Sequence, residues 1–358
     1  MDEKIKLLLE KSKLVIKDVA LENGAIVAAN TNKAYYPRTA SNYHFVWPRD
    51  AGYICVAAQT AGIMDIQKPF FKWLEERPED FKKEGLIYQN YSANGRTYWR
   101  QFQPDQAGTM LWAIWEYFKD NLSQSSKYET LIRRLADGLC GNWKGSYFFR
   151  NTFDLWEEGV RRTSTKQENN HTYSLAACVR GLELANKMID NPNWLETAKE
   201  MRKRIDEAYS EENKYFLRNH GKLSDTNVDA SLLGLSWPFN IVDVKDERML
   251  NTAKQIEDKL TINGGGIQRF QFDYYDGEGS GGEGAGAWPI LNFWMSIYQN
   301  KIGNKKKAEQ YFNWVIDNID KYNGFIPEQI FSDDRIGVYP LAWSHAMFVF
   351  AAKELGKI

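Results

Sequence analysis

The 358-residue sequence is short of what several common functions require. Its four histidines, His44, His171, His220 and His345, are scattered with no H-x-x-x-H or Cys–His spacing, which argues against a zinc centre. Its three cysteines, Cys55, Cys140 and Cys178, are odd in number and lie inside apolar helical patterns. They read as buried thiols in a reducing compartment rather than as a disulfide frame. No run of about eighteen apolar residues occurs, which argues against a membrane-spanning helix. From Met1 to Lys17, charged and apolar residues alternate at helical spacing without an apolar core and a small-residue cleavage site. No secretory leader is read there, and a cytoplasmic protein is expected. Neither charge sign dominates: 46 Lys plus Arg against 47 Asp plus Glu give a net charge of −1. Such a balance exerts no long-range pull on nucleic acid or an anionic membrane and suits a small neutral substrate.

What the sequence does hold is aromatic residues, 13 Trp, 19 Tyr and 19 Phe, many of them in polar loops outside the helical stripes. About half are accounted for as core; the rest suit a sugar-binding cleft. Such a cleft needs flat apolar faces for the C–H side of a pyranose ring, beside carboxylates and guanidiniums for its hydroxyls.

Helical periodicity dominates. Ala308, Tyr311, Phe312, Val315 and Ile319 fall at i, i+3, i+4, i+7 and i+11, and Trp194, Ala198, Met201, Ile205 and Ala208 repeat the pattern. Alternation suited to strands is scarce, with 144–149 and 215–223 the best short candidates. Loops rich in aromatic and charged residues lead into apolar helices near positions 50, 106, 172, 229, 288 and 340, and a more polar amphipathic helix follows each. Intervals of roughly 50 to 65 residues fit a helical hairpin plus a functional loop. Six such hairpins in a ring make an all-α (α/α)6 barrel, with the special loops at one end; an open helical solenoid would show a similar rhythm. No linker or charge block divides the chain, so a single domain spanning 1–358 is expected, with no β-sandwich domain ahead of Tyr43.

Three clusters carry chemistry. Trp47-Pro48-Arg49-Asp50 opens the first apolar helix, where an acid is favoured. Arg49 and Asp50 are suited to gripping vicinal hydroxyls, and equally to an ordinary cap and ion pair. Asp154-Leu155-Trp156-Glu157-Glu158 places two carboxylates beside a tryptophan in a loop, as if one were an acid of raised pKa and the other a substrate ligand. Pro327-Glu328-Gln329 fixes a carboxylate between apolar residues, the pattern of a placed base. Glu157 and Glu328 lie 171 positions apart, so only a closed architecture brings them together. Facing each other over a sugar, one carboxyl protonates a glycosidic oxygen and the other activates water.

Glycines 264–266 precede Arg269 and Asp273, a second potential sugar grip. A phosphate loop is the rival there, but no Lys-Ser or Lys-Thr follows. The acidic, Gly-rich stretch 273–283 lacks the ligand order of a calcium loop, leaving room only for a weak site, so no required metal and no cofactor are expected.

In order and spacing, VWPRD, DLWEE, HTYS (171–174), GGIQRF (265–270), PEQ and PLAWSHA (340–346) resemble the catalytic domain of glycoside hydrolase family 15, the glucoamylase and glucodextranase type. The resemblance runs from about Tyr43 to Glu354. It implies an (α/α)6 barrel and inverting hydrolysis that releases β-glucose from non-reducing ends. By similarity Glu157 is the general acid, Glu328 the general base, and Tyr43 steadies the attacking water. Trp47, Arg49, Asp50 and Trp156 line the terminal glucose pocket, and Glu158 binds substrate. Arg269 contacts the sugars on both sides of the cleaved bond with Asp273 in support, while Trp99, Asp105, Trp288 and Gln329 complete the substrate-binding set. The expected substrate is an α-1,4-linked oligosaccharide; α-1,6-linked isomaltose or dextran and trehalose are the alternatives within the family. A barrel that binds sugar without cleaving it is the alternative of another class. The segment 159–170 after the acid is longer than usual for the family and carries Arg161, Arg162 and Lys166, which places it to reshape the leaving-group side.

Overall fold

The computed structural model describes residues 2–77, 79–262, 264–275 and 284–358. Asp2 starts the first helix, α1 (Glu3–Val19), by accepting the Lys4 amide, and the apolar stripe from Ile5 to Val19 buries one face. From there two kinds of helix alternate. One kind is apolar nearly all round and buried on every side: α2 (Pro48–Thr60) has every residue from Pro48 to Ala58 buried. The other kind is amphipathic, as in α3 (Gln67–Glu75), which Gln67 ties to α2 by donating to the Cys55 carbonyl at 3.1 Å. A short α4 (Glu79–Glu84) follows, and the alternation resumes with α5 (Pro104–Phe118) inside and α6 (Glu129–Asn142) outside. Then come α7 (Thr172–Met188) and α8 (Pro192–Glu207), a 3-10 segment at Ala230–Leu235, and α9 (Glu247–Leu260). The chain ends with α10 (Pro289–Lys301), α11 (Lys305–Asp317) and α12 (Ala342–Glu354).

The inner elements close a ring: α2 packs on α5, α5 on α7, α7 on the 3-10 segment, that segment on α10, α10 on α12, and α12 back on α2. The outer helices α1, α6, α8, α9 and α11 cover α12, α5, α7, the 3-10 segment and α10. This is an (α/α)6 barrel. The α5–α7 seam brings backbone against backbone, since a Cβ at Gly108 would stand 2.3 Å from the Ala177 carbonyl oxygen.

Two details depart from the rhythm read in the sequence. The fourth inner element is only six residues of 3-10 helix, because Pro238 follows within three residues of its end and stops propagation. The last inner helix is covered by α1, which precedes the first inner helix in sequence, instead of by a helix after it. Sheet is minor. Strands β1 (Phe45–Val46), β2 (Tyr88–Ser92) and β3 (Thr97–Phe102) form an antiparallel sheet over the open end. Of the expected strands, 144–149 gives no strand, only a Trp143–Phe148 bridge, and 215–223 gives the two-residue pieces Tyr215–Phe216 and Asn219–His220. No helix among the described residues is long and apolar enough to cross a membrane.

Candidate active site

Proline begins α2, α5 and α10, where a missing amide costs nothing and the fixed φ suits a first turn. The residue ahead of each is extended, which turns Trp47 and Trp288 over the helix ends. These ends and the loops between them enclose a cavity of about 890 Å³, near the top of the range for ligand sites. It is closed at one end by buried Arg49, Asp50 and Trp343 and open at the other beside exposed Trp99, Phe272 and Tyr274.

Glu157 and Glu328 both line this cavity. Glu157 stands in a left-handed turn, φ 67°, held by its amide donating to the Asp154 carbonyl at 3.2 Å. Its Oε1 accepts from Trp47 Nε1 at 2.7 Å and lies 3.6 Å from Arg49 Nη2, while its Oε2 accepts from Gln89 Nε2. Glu328 Oε1 accepts from the Tyr43 hydroxyl at 3.0 Å, and Tyr43 shares a 2.8 Å bond with the Tyr275 hydroxyl. Glu328 Oε2 has no hydrogen-bond partner among the described residues, and neither have Trp288 Nε1 and Trp343 Nε1. Asp50 Oδ1 has only a 3.5 Å ion pair with Arg49 Nε. Buried polar atoms are nearly always paired, so a cluster of unpaired ones around a cavity marks where a ligand's hydroxyls bond.

Burial pushes the Glu157 carboxyl up to about 7, against the pull of Arg49 and the Trp47 and Gln89 bonds; the Asp50 charge adds to the rise. Burial likewise raises Glu328 to about 7, against the Tyr43 bond and Arg269. Two carboxyls at one cavity, both raised toward neutrality, suit proton donation and acceptance near pH 7.

A model of glycosyl hydrolases family 15 matches residues 76–353. The chain belongs to that family. Its relatives include an uncharacterized glycosyl hydrolase of Methanocaldococcus jannaschii, 30% identical over 94% of this chain and 54% of that one. The isomaltose glucohydrolase of Kribbella flavida is 24% identical over 93% of this chain and 88% of that one. The trehalase of Thermoplasma acidophilum is 24% identical over 96% of this chain and 62% of that one. The chain thus spans about half the length of the M. jannaschii relative. Among solved structures, a glycosidase variant in complex with glucose superposes with TM-score 0.81 at 22% identity, covering 99% of each chain. The fold is that of the family.

Within this family 15 member, the cavity gathers Tyr43, Trp47, Arg49, Asp50, Trp99 and Trp156 with Glu158, Arg269, Asp273 and Trp288, as the sequence led one to expect. Arg269 is locked to Asp273 by two bonds of 2.7 Å and lies 4.8 Å from the Tyr275 and Trp288 ring centres. Glu158 reaches the cavity with both oxygens already engaged, by Arg161 at 3.0 Å and Arg218 at 2.6 Å. Two expected ligands do not line it. Asp105 is fully buried behind Arg49, 3.2 Å from Nη1, and acts on the cavity only through that guanidinium. Gln329 turns away and accepts the Gly286 amide at 2.9 Å. Gln89, Tyr275, Trp343, Phe272, Arg218 and Asp229 were not singled out for the site by sequence reasoning; Asp229 accepts from Trp156 Nε1 at 3.1 Å. No group of three or more metal-ligating side chains occurs among the described residues, and most of the Gly-rich stretch weighed as a calcium loop, 276–283, lies outside them.

The raised Glu328 carboxyl carries a stability cost with a definite sign. In the unfolded chain it ionises near pH 4.5, whereas in the folded protein it keeps its proton to about 7. Stability is therefore lost as pH rises between these values, by up to about 3 kcal/mol. Glu328→Gln is expected to melt higher than the parent at pH 8 and alongside it at pH 4, by thermal unfolding at both values; a gain at pH 4 alone would contradict the assignment.

Proposed function

We propose that the protein is an exo-acting, inverting α-glucosidase whose barrel forms one catalytic domain, with Glu157 as general acid and Glu328 as general base. The observation that carries this reading is the pair of raised carboxyls at one cavity, Glu328 buried and Glu157 half-buried, with unpaired Asp50 and Trp343 atoms at the closed end. A cavity closed at one end admits a chain terminus and not a mid-chain segment. The terminal glucose sits there with hydroxyls on Asp50, Trp343 and Arg49. Glu157 in its protonated form gives its proton to the glycosidic oxygen as the C1–O bond breaks. Glu328 in its ionised form takes a proton through the free Oε2 from water attacking C1 on the other face, with Tyr43 bonded to Oε1 to fix the carboxylate. Arg269, among the rings of Trp156, Tyr275 and Trp288, donates to hydroxyls of the sugars on either side of the cleaved bond.

The sugar on the leaving side is an α-1,4-linked glucose in this reading. The Kribbella isomaltose glucohydrolase and the Thermoplasma trehalase favour α-1,6 and α,α-1,1 linkages as the alternatives. Incubation with maltose, isomaltose, trehalose, maltoheptaose and dextran, followed by proton NMR of the first product, tests the reading. From maltoheptaose the expected first glucose signal is the β anomer. Initial α-glucose from that substrate would overturn inversion, and release of oligosaccharide before glucose would overturn exo action.

A further inference from the structure

Phe272 stands at the open end of the cavity with 67% of its surface exposed and φ at 64°. Both features are unfavourable within the chain itself. A bulky L-residue is strained in the left-handed region, where glycine or asparagine would form the same turn without penalty. An exposed phenyl ring forfeits the free energy that burial supplies. Among the described residues no aromatic or cation contact to the Phe272 ring offsets either term. Backbone outliers of this kind persist where surrounding structure enforces them, and they gather at ligand sites.

The enforcement is visible on both sides of the residue. Before it, Phe270 is buried under the Arg218, Arg269 and Arg161 guanidiniums, and the Gln271 amide donates to the Val228 carbonyl at 3.0 Å. After it, Asp273 is clamped by Arg269 and its carbonyl accepts the Ala285 amide at 3.1 Å. The ring is therefore held out at the cavity mouth by a rigid frame, beside Tyr274, which also lines the mouth and is exposed. We propose that Phe272 is a specificity-determining residue that stacks on the apolar face of the pyranose ring on the leaving-group side of the cleaved bond. The proposal rests on the glucosidase reading above. A flat uncharged ring matches a neutral sugar, whose C–H face is apolar, and stacking there needs no particular hydroxyl pattern. The closed end, with its buried carboxylates and arginine, selects the terminal glucose; Phe272 grips what that glucose is attached to.

Phe272→Gly separates the two roles, because glycine relieves the strain while removing the ring. The expected result is a raised melting temperature, a kcat/KM for maltotriose lowered about tenfold, and an unchanged inhibition constant for glucose, which occupies the closed end. Phe272→Tyr, which keeps the ring, is expected to hold kcat/KM near the parent value. A Phe272→Gly variant whose kcat/KM stays within twofold of the parent overturns the proposal, as does a parallel loss of glucose affinity. Calorimetric binding of maltotriose to Glu157→Gln, with and without Phe272→Gly, reads the stacking without turnover, with about tenfold weaker binding expected in the double variant. Equal affinities there would refute the role of Phe272 whatever the parent enzyme hydrolyses, whereas a parent inactive on every α-glucoside with the tenfold difference intact would refute only the glucosidase reading.

Discussion

Glu157→Gln and Glu328→Gln are each expected to lower kcat on maltose by about 10²–10⁴-fold, with both variants folded and still binding glucose. The two losses should differ in kind. Glu157 donates a proton to the departing oxygen, so its removal matters most when that oxygen is a poor leaving group. With 4-nitrophenyl α-glucoside, whose leaving group departs as a stable anion, Glu157→Gln should recover much of its rate and Glu328→Gln should not. Their pH profiles should also part. In the parent, kcat/KM falls on the acid side as Glu328 takes up a proton and on the alkaline side as Glu157 loses one. Glu157→Gln should lose the alkaline limb and Glu328→Gln the acid limb. Near-parent activity in either variant on maltose, or recovery of Glu328→Gln by the activated substrate, would remove that residue from its assigned role.

The two carboxylates were legible in the sequence because each sits in a local pattern that serves no structural purpose, one beside Trp156 in a loop and one fixed by Pro327. The ring of helices was legible because inner and outer elements differ in apolar coverage, which composition records. Direction was harder to read. Asp50 and Asp105 look alike, each an acid just after a helix-starting proline. Asp50 is the third residue of its helix and Asp105 the second, and one step on an α-helix turns a side chain by about 100°. That step places Asp50 on the cavity and Asp105 behind Arg49. Gln329 does not line the cavity because its Oε1 is taken by the Gly286 amide, a long-range contact that no local pattern announces. Gln89 lies on a hairpin that the Asn94-Gly95 turn does announce, but nothing local links it to a glutamate 68 positions later.

Arg218 was the least legible, and its replacement has the largest expected effect on stability. In the sequence it sits in a short polar–aromatic stretch, far from the residues it serves. In the fold its buried guanidinium meets three carboxylates: Nη2 lies 2.8 Å from Asp154 and 2.6 Å from Glu158, and Nε lies 3.1 Å from Asp229. Each of these acids holds part of the loop that carries Glu157. The Asp154 carbonyl takes the Glu157 amide, its carboxylate takes the Glu158 amide at 3.1 Å, and Asp229 holds the Trp156 indole. Arg218→Met leaves Asp154 and Asp229 buried without their counterion and Glu158 with Arg161 alone, a change that costs about 3–5 kcal/mol. The sign with pH follows from the same contacts. Arg218 holds the Asp154 carboxyl below its usual range against the effect of burial, and without it that carboxyl and its neighbours rise together. The deficit should therefore be full at pH 8, where all are ionised, and shrink as pH falls and they protonate. Thermal unfolding at pH 8 and pH 5 measures it, and a loss equal at both values would show that lost packing against Phe270 dominates instead. Arg218→Lys restores one charge but not the fork that spans Asp154, Glu158 and Asp229, so it should recover part of the stability and less of kcat. That ordering, stability returning ahead of turnover, separates a residue that positions the acid from one that only fills its corner of the barrel.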